Sequence, residues 1–464
     1  MAQTQGVPTE LGTKKIGKLL TQYSVPAIIA MTASSIYNMV DSIFIGQGVG
    51  PLAISGLATT FPFMNLSAAF GAMIGMGGAT ILSVKLGQKD YDSAKYILGN
   101  TLTLNTIVGV LFGIISLIFL DPILYFFGAS DATLPYARDF MQIILVGNAI
   151  THLYFGINNT LRASGHPMLS MYATILTVVI NVILAPLFIY GFKWGIRGAA
   201  LATMLAQTVT LIWQMKLLSN PHELLHLQRG IYKLRGVIVK DIVSVGLSPF
   251  LINVAACLIV ILINKGLRLY SASPDAGDMN IAAYGITNRV TFIFIMIVMG
   301  LTQGMQPIAG YNFGAGLHER VGLTLKLTLV WATVITVVGF LICELIPQYT
   351  ARAFTQDEGL VALSARGMRI VAAAYPLVGI QIVTSNFFLS VGKVKYSIFL
   401  SLTRQVLFLI PLLLILPLFF QDTGVWMSLP ISDTVASVIA IVMLRVQFNK
   451  WKESKQENGG GRTL

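Results

Sequence analysis

Almost all acidic residues of this sequence fall in polar stretches, and Asp41 is the exception. Of the 464 residues 19 are Asp or Glu, and Asp41 is the one most enclosed by apolar sequence. It follows Lys18 by ~23 residues, or ~35 Å of helix at ~1.5 Å per residue, which places it in the outer half of a membrane rather than at the midplane. A carboxylate there indicates either an interfacial group at a helix end or a functional group that binds a cation.

The other reactive side chains form no recognisable catalytic or metal-binding pattern. Cys257 and Cys343 lie far apart in apolar runs, which is typical of core residues. His222 and His226 have i, i+4 spacing but lie in a polar loop, where we expect them to be solvated. No phosphate-binding loop of the form GxxxxGK[ST] occurs. The sequence therefore predicts neither an enzyme nor a metal site, and no bound cofactor.

Three further ionisable residues have structural interpretations. Asp433 follows Pro430 at the start of the last apolar run, so we expect it to cap a helix terminus. Arg289 and Arg404 are expected to extend toward the interface or to pair with carboxylates. Arg and Lys avoid the predicted spans.

The elements that must position Asp41 are transmembrane helices. Only 11% of the residues are charged and 55% are hydrophobic, whereas a soluble chain has about 25% charged residues. Runs of about 20 apolar residues cross a bilayer, and the short alternating segments of a β-barrel are missing. The predicted class is an all-α integral membrane protein with twelve spans, located at Leu19–Val40, 51–84, Ile97–Leu120, Phe140–Leu161, Met168–Phe192, Gly198–Met215, Ile242–Asn264, Val290–Leu317, Leu327–Cys343, Ile370–Gly392, Gln405–Gln421 and Thr423–Leu444.

The distribution of basic residues predicts the orientation. Most Lys and Arg fall in segments that twelve spans place in the cytoplasm if the N-terminus is inside, so both termini are expected to be cytoplasmic. The net charge of +12 is explained by an anionic membrane surface, and nucleic acid is not a predicted partner. We expect a multi-pass protein of a bacterial inner membrane that contacts lipids and acts as a monomer.

Residues that match at a fixed offset indicate an internal repeat. Gly71 and Gly75 are followed 229 residues later by Gly300 and Gly304, and an offset of 223 relates the pairs Pro26 and Pro249, and Asp41 and Asn264. Each half holds six predicted spans, so the halves are expected to form pseudo-symmetric lobes that rock about a substrate site. Pro26 and Pro249 lie near the start of the first helix of each half, where a proline permits bending, and are the predicted hinges.

The repeat divides the chain into four parts. The N-terminal six-helix lobe is expected at 1–218 and the C-terminal lobe at 240–449. A cytoplasmic linker at 219–239 joins them, and 450–464 form a polar, Gly-rich tail that is expected to be disordered.

Several segments resemble the multidrug and toxic compound extrusion (MATE) family, and most closely the MepA-like members of its DinF-type branch. The segments are VDSIFIGQGVGPLAISGLATTFPF (40–63), GINNTLRASGHP (156–167), NVILAPLFI (181–189), GIRGAALAT (195–203) and AYGITNRVTFIFIMIVMGLTQGMQPIAGYNFGAG (283–316). The resemblance implies two six-helix lobes arranged as a V. It also implies export of amphipathic organic cations, including antibiotics, driven by inward flow of protons or sodium ions.

The resemblance also implies a cation-coupling site. Family members carry an Asp in the setting of Asp41, and the DinF-type site adds an Asn and a Thr that match Asn181 and Thr203. It further uses an Asp where this sequence has Ala185, and the acids of the NorM-type alternative are missing, with Cys257 in place of one. Sodium prefers several oxygen ligands, whereas a proton needs one carboxylate. Loss of one acid therefore favours proton coupling.

A substrate cavity for organic cations is predicted more loosely. Methionine and aromatic side chains offer polarizable surfaces suited to varied hydrophobic cations. Asn264 occupies the repeat position of Asp41 and is interpreted as its neutral counterpart. The candidate cavity residues are Tyr37, Asn38, Met64, Asn264, Met296 and Met305.

Two other functions compete with drug export. A polyprenyl-lipid or metabolite flippase of the same wider superfamily would need a cationic cavity, and the scarcity of Arg and Lys in the spans argues against it. An integral membrane enzyme would need clustered acids or histidines at one interface, and the sequence has no such cluster.

Overall fold

Helices make up almost all of the described part of the chain. The computed structural model describes residues 9–459, and within them the regular elements are helical. Two short π-helical segments, Leu187–Gly191 and Thr403–Leu409, follow α8 and α16. The α-helices are α1 (Glu10–Thr13), α2 (Ile16–Gly48), α3 (Pro51–Gly87), α4 (Tyr91–Ile118), α5 (Leu120–Phe126), α6 (Leu134–Val146), α7 (Asn148–Ala163), α8 (Pro167–Pro186), α9 (Gly195–Leu218), α10 (Gly236–Tyr270), α11 (Pro274–Gly314), α12 (His318–Leu345), α13 (Pro347–Arg352), α14 (Glu358–Ala372), α15 (Tyr375–Ser390), α16 (Val394–Leu402) and α17 (Ile410–Gly459).

The described residues contain twelve membrane crossings. Nine helical stretches are long and apolar enough to span, and two bent pairs, α6 with α7 at 58° and α14 with α15 at 54°, add one crossing each. The last of the nine, Val394–Gln447, has 54 residues, or ~81 Å of helix against a hydrocarbon core of ~30 Å. Its backbone leaves the helical conformation at Gln421, so it makes two crossings. The predicted twelve-helix class is confirmed.

The helices pack into two compact units. Unit 1 holds the chain up to Cys257 together with Gly300–Leu325 and Leu389–Val394, and unit 2 holds Leu258–Met299, Lys326–Phe388 and the chain from Lys395. The borders therefore fall inside α10, α11, α12, α15 and α16.

Glycine allows close helix packing inside unit 1. A Cβ at Gly246 on α10 would overlap the carbonyl oxygen of Met73 on α3, and a Cβ at Gly77 would overlap that of Ile242. At such positions backbones touch directly, which is how helices associate tightly in a membrane. The apolar core of this unit includes the fully buried side chains of Ile45, Ala137 and Ala185.

The segment that precedes α10 is bound to α4. The Asn100 amide donates to the carbonyl oxygens of Ile231 and Lys233 at 3.3 and 3.1 Å, and the Arg235 N–H donates to its Oδ1 at 2.8 Å. The Arg235 guanidinium also stacks 3.2 Å above the ring of Tyr96. α10 begins at Gly236, so the last residues of the predicted linker are helical.

Unit 2 is held together by a buried indole. Trp426 packs against Gly367, and its Nε1 donates to Asn280 Oδ1 at 3.4 Å. The amide of Asn280 in turn donates to Asp422 Oδ2 at 3.2 Å. These contacts join α11, α14 and α17.

Helix ends differ from the prediction in two places. α2 continues to Gly48, so Asp41 lies inside the helix and not at its end. α17 continues to Gly459, where a disordered tail was predicted, because KWKESKQE consists mainly of residues with high helix propensity. The last five residues, 460–464, lie outside the described residues.

Candidate functional site

Asp41 is buried in the interior of α2. Its residue is 8% exposed, and its Oδ1 has no hydrogen-bond partner among the described residues. A buried carboxylate oxygen without a partner is costly, more so when the group is charged. The position therefore favours an occupant that supplies positive charge or a proton.

Three polar side chains form a network, and one of them, Tyr37, lies one helical turn before Asp41 on α2. Asn181 Nδ2 on α8 donates to the Thr203 hydroxyl on α9 at 2.9 Å and to the Tyr37 hydroxyl on α2 at 3.2 Å. The hydroxyls of Tyr37 and Thr203 lie 3.0 Å apart. Tyr37 precedes Asp41 by four residues, so the two share one face of α2. The network thus joins three helices beside the buried acid.

The hydrogen-bond donors of this network are already engaged. The Thr203 hydroxyl donates to the Ala199 carbonyl at 3.2 Å, so the single Tyr37 proton is directed to Thr203. Asn181 uses its amide N–H groups on the same two hydroxyls. No donor is left for Asp41, and the arrangement is rich in acceptor oxygens. It can bind a proton on the carboxylate, or a small cation.

Ala185 lies one turn beyond Asn181 on α8. It is fully buried and belongs to the apolar core that also contains Ile45. Ile45 itself follows Asp41 by one turn of α2. Apolar packing therefore borders the polar network on this side, and Asp41 is the carboxylate of the site.

Comparison with known proteins decides the family. A family model described as MatE matches residues 26–187 and 251–415, well over half of the chain. The chain belongs to the MATE family. The two matched ranges have nearly equal lengths, as expected for the predicted repeat.

Individual MATE relatives align over almost the full length. The multidrug export protein MepA of Staphylococcus haemolyticus (strain JCSC1435) is 28% identical over 92% of this chain and 93% of its own. The solved structure of the MATE multidrug transporter DinF-BH in complex with R6G is 34% identical, with a TM-score of 0.87 over 96% of this chain and 98% of that one. An outward-facing multidrug resistance MATE family transporter of the MOP superfamily shares the fold, with a TM-score of 0.90, 22% identity and coverage of 97% and 99%.

The remaining candidate residues of this MATE protein are dispersed. In unit 1, Asn38 is exposed, Met64 accepts from the Thr60 hydroxyl at 3.8 Å, and Met305 is fully buried. Asn264 and Met296 are half-buried in unit 2. Of the six predicted cavity residues only Tyr37 joins the network of Asn181 and Thr203. A cavity lined by the others stays a prediction, as does the hinge role of Pro26 and Pro249, which both lie inside helices.

Two sequence-based expectations about charged residues were wrong. Asp433 does not cap a helix terminus: it lies inside α17, and its Oδ1 accepts from Arg404 Nε at 2.7 Å. Arginine also does not avoid the spans, since Arg404 lies in the π-helical segment inside Val394–Gln447. The predicted pairing of Arg404 with a carboxylate is confirmed. Its partner lies 29 residues away, so no local pattern identifies it.

Two features were not predicted from the sequence: the hydrogen bonds of Tyr37 with Asn181 and Thr203, and the burial of Arg162. Tyr37 was assigned to the cavity, although its i, i+4 spacing to Asp41 was a signal for a shared site. Arg162 on α7 is 9% exposed, and its guanidinium donates to Gln303 and Ser170 at 2.5 and 3.4 Å. A polar sequence context around Arg162 concealed its burial.

Proposed function

We propose that this chain is an antiporter that exports amphipathic organic cations, including drugs, and that inward movement of a cation at Asp41 drives export. The names of the relatives support multidrug export, since MepA and DinF-BH are both described as multidrug transporters. The complex of DinF-BH with R6G supports a hydrophobic organic cation as substrate. Family and relatives alike are transporters, and no catalytic role is proposed.

The observation that carries cation coupling is the unpartnered carboxylate oxygen of Asp41 beside a network without free donors. Among the described residues, an ionised Asp41 has no hydrogen-bond donor beside it to stabilise the negative charge. The carboxylate is therefore stable in this environment only when it binds a cation or takes up a proton. We propose that this requirement couples inward movement of the cation to outward movement of the substrate.

We propose the proton as the coupling ion. Ala185 contributes no oxygen, and Asp41 is the carboxylate of the network. Sodium binds best to several oxygen ligands, and one carboxylate with neutral amide and hydroxyl groups offers fewer than its usual set. A proton needs only the carboxylate itself.

The lobes complete the proposal. Residues 1–218 and 240–449 act as two six-helix lobes joined by 219–239, with both termini in the cytoplasm of a bacterial cell. The protein works as a monomer in the inner membrane and exports its substrate by alternating access. Flipping of a polyprenyl lipid is less well supported, because the names of the relatives indicate multidrug export and Arg404 is paired with Asp433.

Reconstitution into liposomes tests this function. Efflux or uptake of R6G is followed by fluorescence while a proton gradient or a sodium gradient is imposed separately at equal size. We expect the proton gradient to drive R6G transport and the sodium gradient at constant pH to drive little. Equal transport with sodium alone would refute proton coupling, and no transport with either gradient would refute the antiport mechanism.

A further inference from the structure

Unit 2 contains its own enclosed carboxylate within a span. Asp433 is 7% exposed and pairs with Arg404, whose side chain is 25% exposed. Ionisable groups at membrane depth are costly and are retained mainly for function. The MATE coupling network at Asp41 does not include this pair, which belongs to the other unit.

The pair is joined by a single hydrogen bond. Among the described residues, Arg404 Nε donates to Asp433 Oδ1, and no hydrogen bond reaches Asp433 Oδ2 or leaves the terminal guanidine nitrogens. The exposed pair of Arg138 and Asp121, by contrast, is a two-bond fork in which both carboxylate oxygens accept. A fork is the stronger geometry. Arg404 thus neutralises Asp433 without occupying all of its hydrogen-bonding capacity.

The backbone that carries Arg404 is irregular. Arg404 is the second residue of the π-helical segment Thr403–Leu409, and the Ser432 hydroxyl donates to its carbonyl at 2.6 Å. π-Helical turns are rare and occur often at functional sites. The Arg404 guanidinium therefore extends from an irregular backbone turn and pairs with one carboxylate.

We propose that Asp433 is a second binding site for the cationic group of an organic substrate, and that Arg404 occupies it when substrate is absent. A guanidinium is planar, delocalised and weakly hydrated, which are also properties of amphipathic drug cations. Exchange of one for the other keeps the buried carboxylate neutralised at each stage. The inference rests on the proposed function and assigns cargo and coupling ion to different carboxylates, Asp433 and Asp41.

Two single substitutions separate this role from a structural ion pair. In R6G binding to purified protein, followed by fluorescence polarisation, Arg404→Gln removes the internal competitor and should tighten binding several-fold. Asp433→Asn removes the site and should weaken binding at least tenfold. The two substitutions are therefore expected to change the affinity for R6G in opposite directions. A structural ion pair predicts that both substitutions lower the melting temperature and change binding in the same direction or not at all, which would overturn the proposal.

The double variant keeps the proposal testable if either single variant folds poorly. Arg404→Gln combined with Asp433→Asn leaves no unpaired charge and should bind R6G as weakly as Asp433→Asn alone. Binding by the double variant equal to that of the unmodified protein would also overturn the proposal. The exposed pair of Arg352 and Glu358, at 3.0 Å, serves as a matched control, since its neutral variants should leave binding unchanged.

Failure of the broader function gives a different result. If the unmodified protein neither binds nor transports R6G or a second organic cation, the antiport function itself is wrong. If the unmodified protein binds and transports R6G while the variants at positions 404 and 433 behave like it, only the second site is wrong.

Discussion

The Tyr37 hydroxyl lies 3.0 Å from the Thr203 hydroxyl and joins α2 to α9. Asn181 donates to both groups from α8, so three helices share one small network. Its donors are all engaged, that of Thr203 with the Ala199 carbonyl, and the neighbouring acid at position 41 receives none of them. This relationship underlies the first three predictions.

Replacement of Asp41 by Asn should abolish gradient-driven export and leave the fold intact. The substitution keeps the shape of the side chain but removes the charge that binds the coupling cation. Because an unpaired buried charge is lost, the melting temperature should not fall. Proteoliposome efflux and thermal unfolding measure the two effects. Asp92→Asn is the control, since that side chain is 93% exposed, and strong efflux by Asp41→Asn would contradict the assignment.

Replacement of Tyr37 by Phe should weaken both stability and coupling. The phenol contributes one hydrogen bond to Thr203 and accepts one from Asn181, so its loss should lower the free energy of unfolding by about 1 kcal/mol. Tyr172→Phe is the matched control on α8, because that residue is 47% exposed. Thermal unfolding of both variants is the measurement. Equal melting temperatures for the two would show that the network contributes nothing to stability.

Introduction of Asp at position 185 should create a response to sodium. Ala185 follows Asn181 by one turn, so the new carboxylate lies on the same face, and two nearby carboxylates repel unless a cation lies between them. We expect the melting temperature of Ala185→Asp to rise when sodium chloride replaces choline chloride at constant pH. Ala185→Asn adds the same volume without charge and should not respond. A sodium effect of equal size in the unmodified protein would contradict the proposed proton preference.

Replacement of Gly246 by Ala tests the packing of α10 on α3. The added methyl group would overlap the Met73 carbonyl, and overpacking of this kind costs up to about 3 kcal/mol. Gly285 on α11 is the matched control, because a Cβ there meets nothing within 4 Å. Gly285→Ala should be neutral or stabilising by up to about 1 kcal/mol, since Ala is the better helix former. Similar melting temperatures for both variants would disprove the close approach.

Replacement of Asn100 by Ala should release the segment before α10. Its amide makes three hydrogen bonds to the backbone of residues 231–235, and these should hold Arg229, Lys233 and Arg235 away from trypsin. Limited proteolysis of the variant should therefore cut this segment faster. Asn159→Ala is a suitable control, since among the described residues the hydrogen bond of Asn159 stays within its own helix, to Phe155. Unchanged cleavage after loss of Asn100 would show that other contacts hold the segment.

Much of the fold could be predicted because hydrophobicity is a local property. Apolar runs identified all twelve crossings, and the enclosed acid at position 41 was visible for the same reason. The bends were not predictable: α6 turns into α7 by 58° at Gly147, where no proline marks the break. A bend of this kind depends on what the helix packs against.

Contacts between side chains on different helices were the other feature that could not be predicted from the sequence. The bond between Arg404 and Asp433 joins residues that the sequence separates by a full span, and nothing local relates them. A shared site of Tyr37 and Asp41 could have been predicted, because Tyr37 precedes Asp41 by four residues. The hydrogen bonds of Tyr37 with Asn181 and Thr203 define its role, and they depend on how α2, α8 and α9 meet.

The anchoring of residues 231–235 on α4 has a mechanical consequence. Arg235 is the last anchored residue and Gly236 is the first of α10, so no flexible residue separates the anchored segment from α10. A flexible linker would allow the two predicted halves to move independently. A linker that is fixed to α4 instead passes a displacement of the second half on to α10. Inside α10 the first weak point is Pro249, which lacks an N–H and leaves a carbonyl free of its usual partner. A movement of the second half would therefore appear as flexing of α10 at that proline, while the linker itself stays fixed to α4.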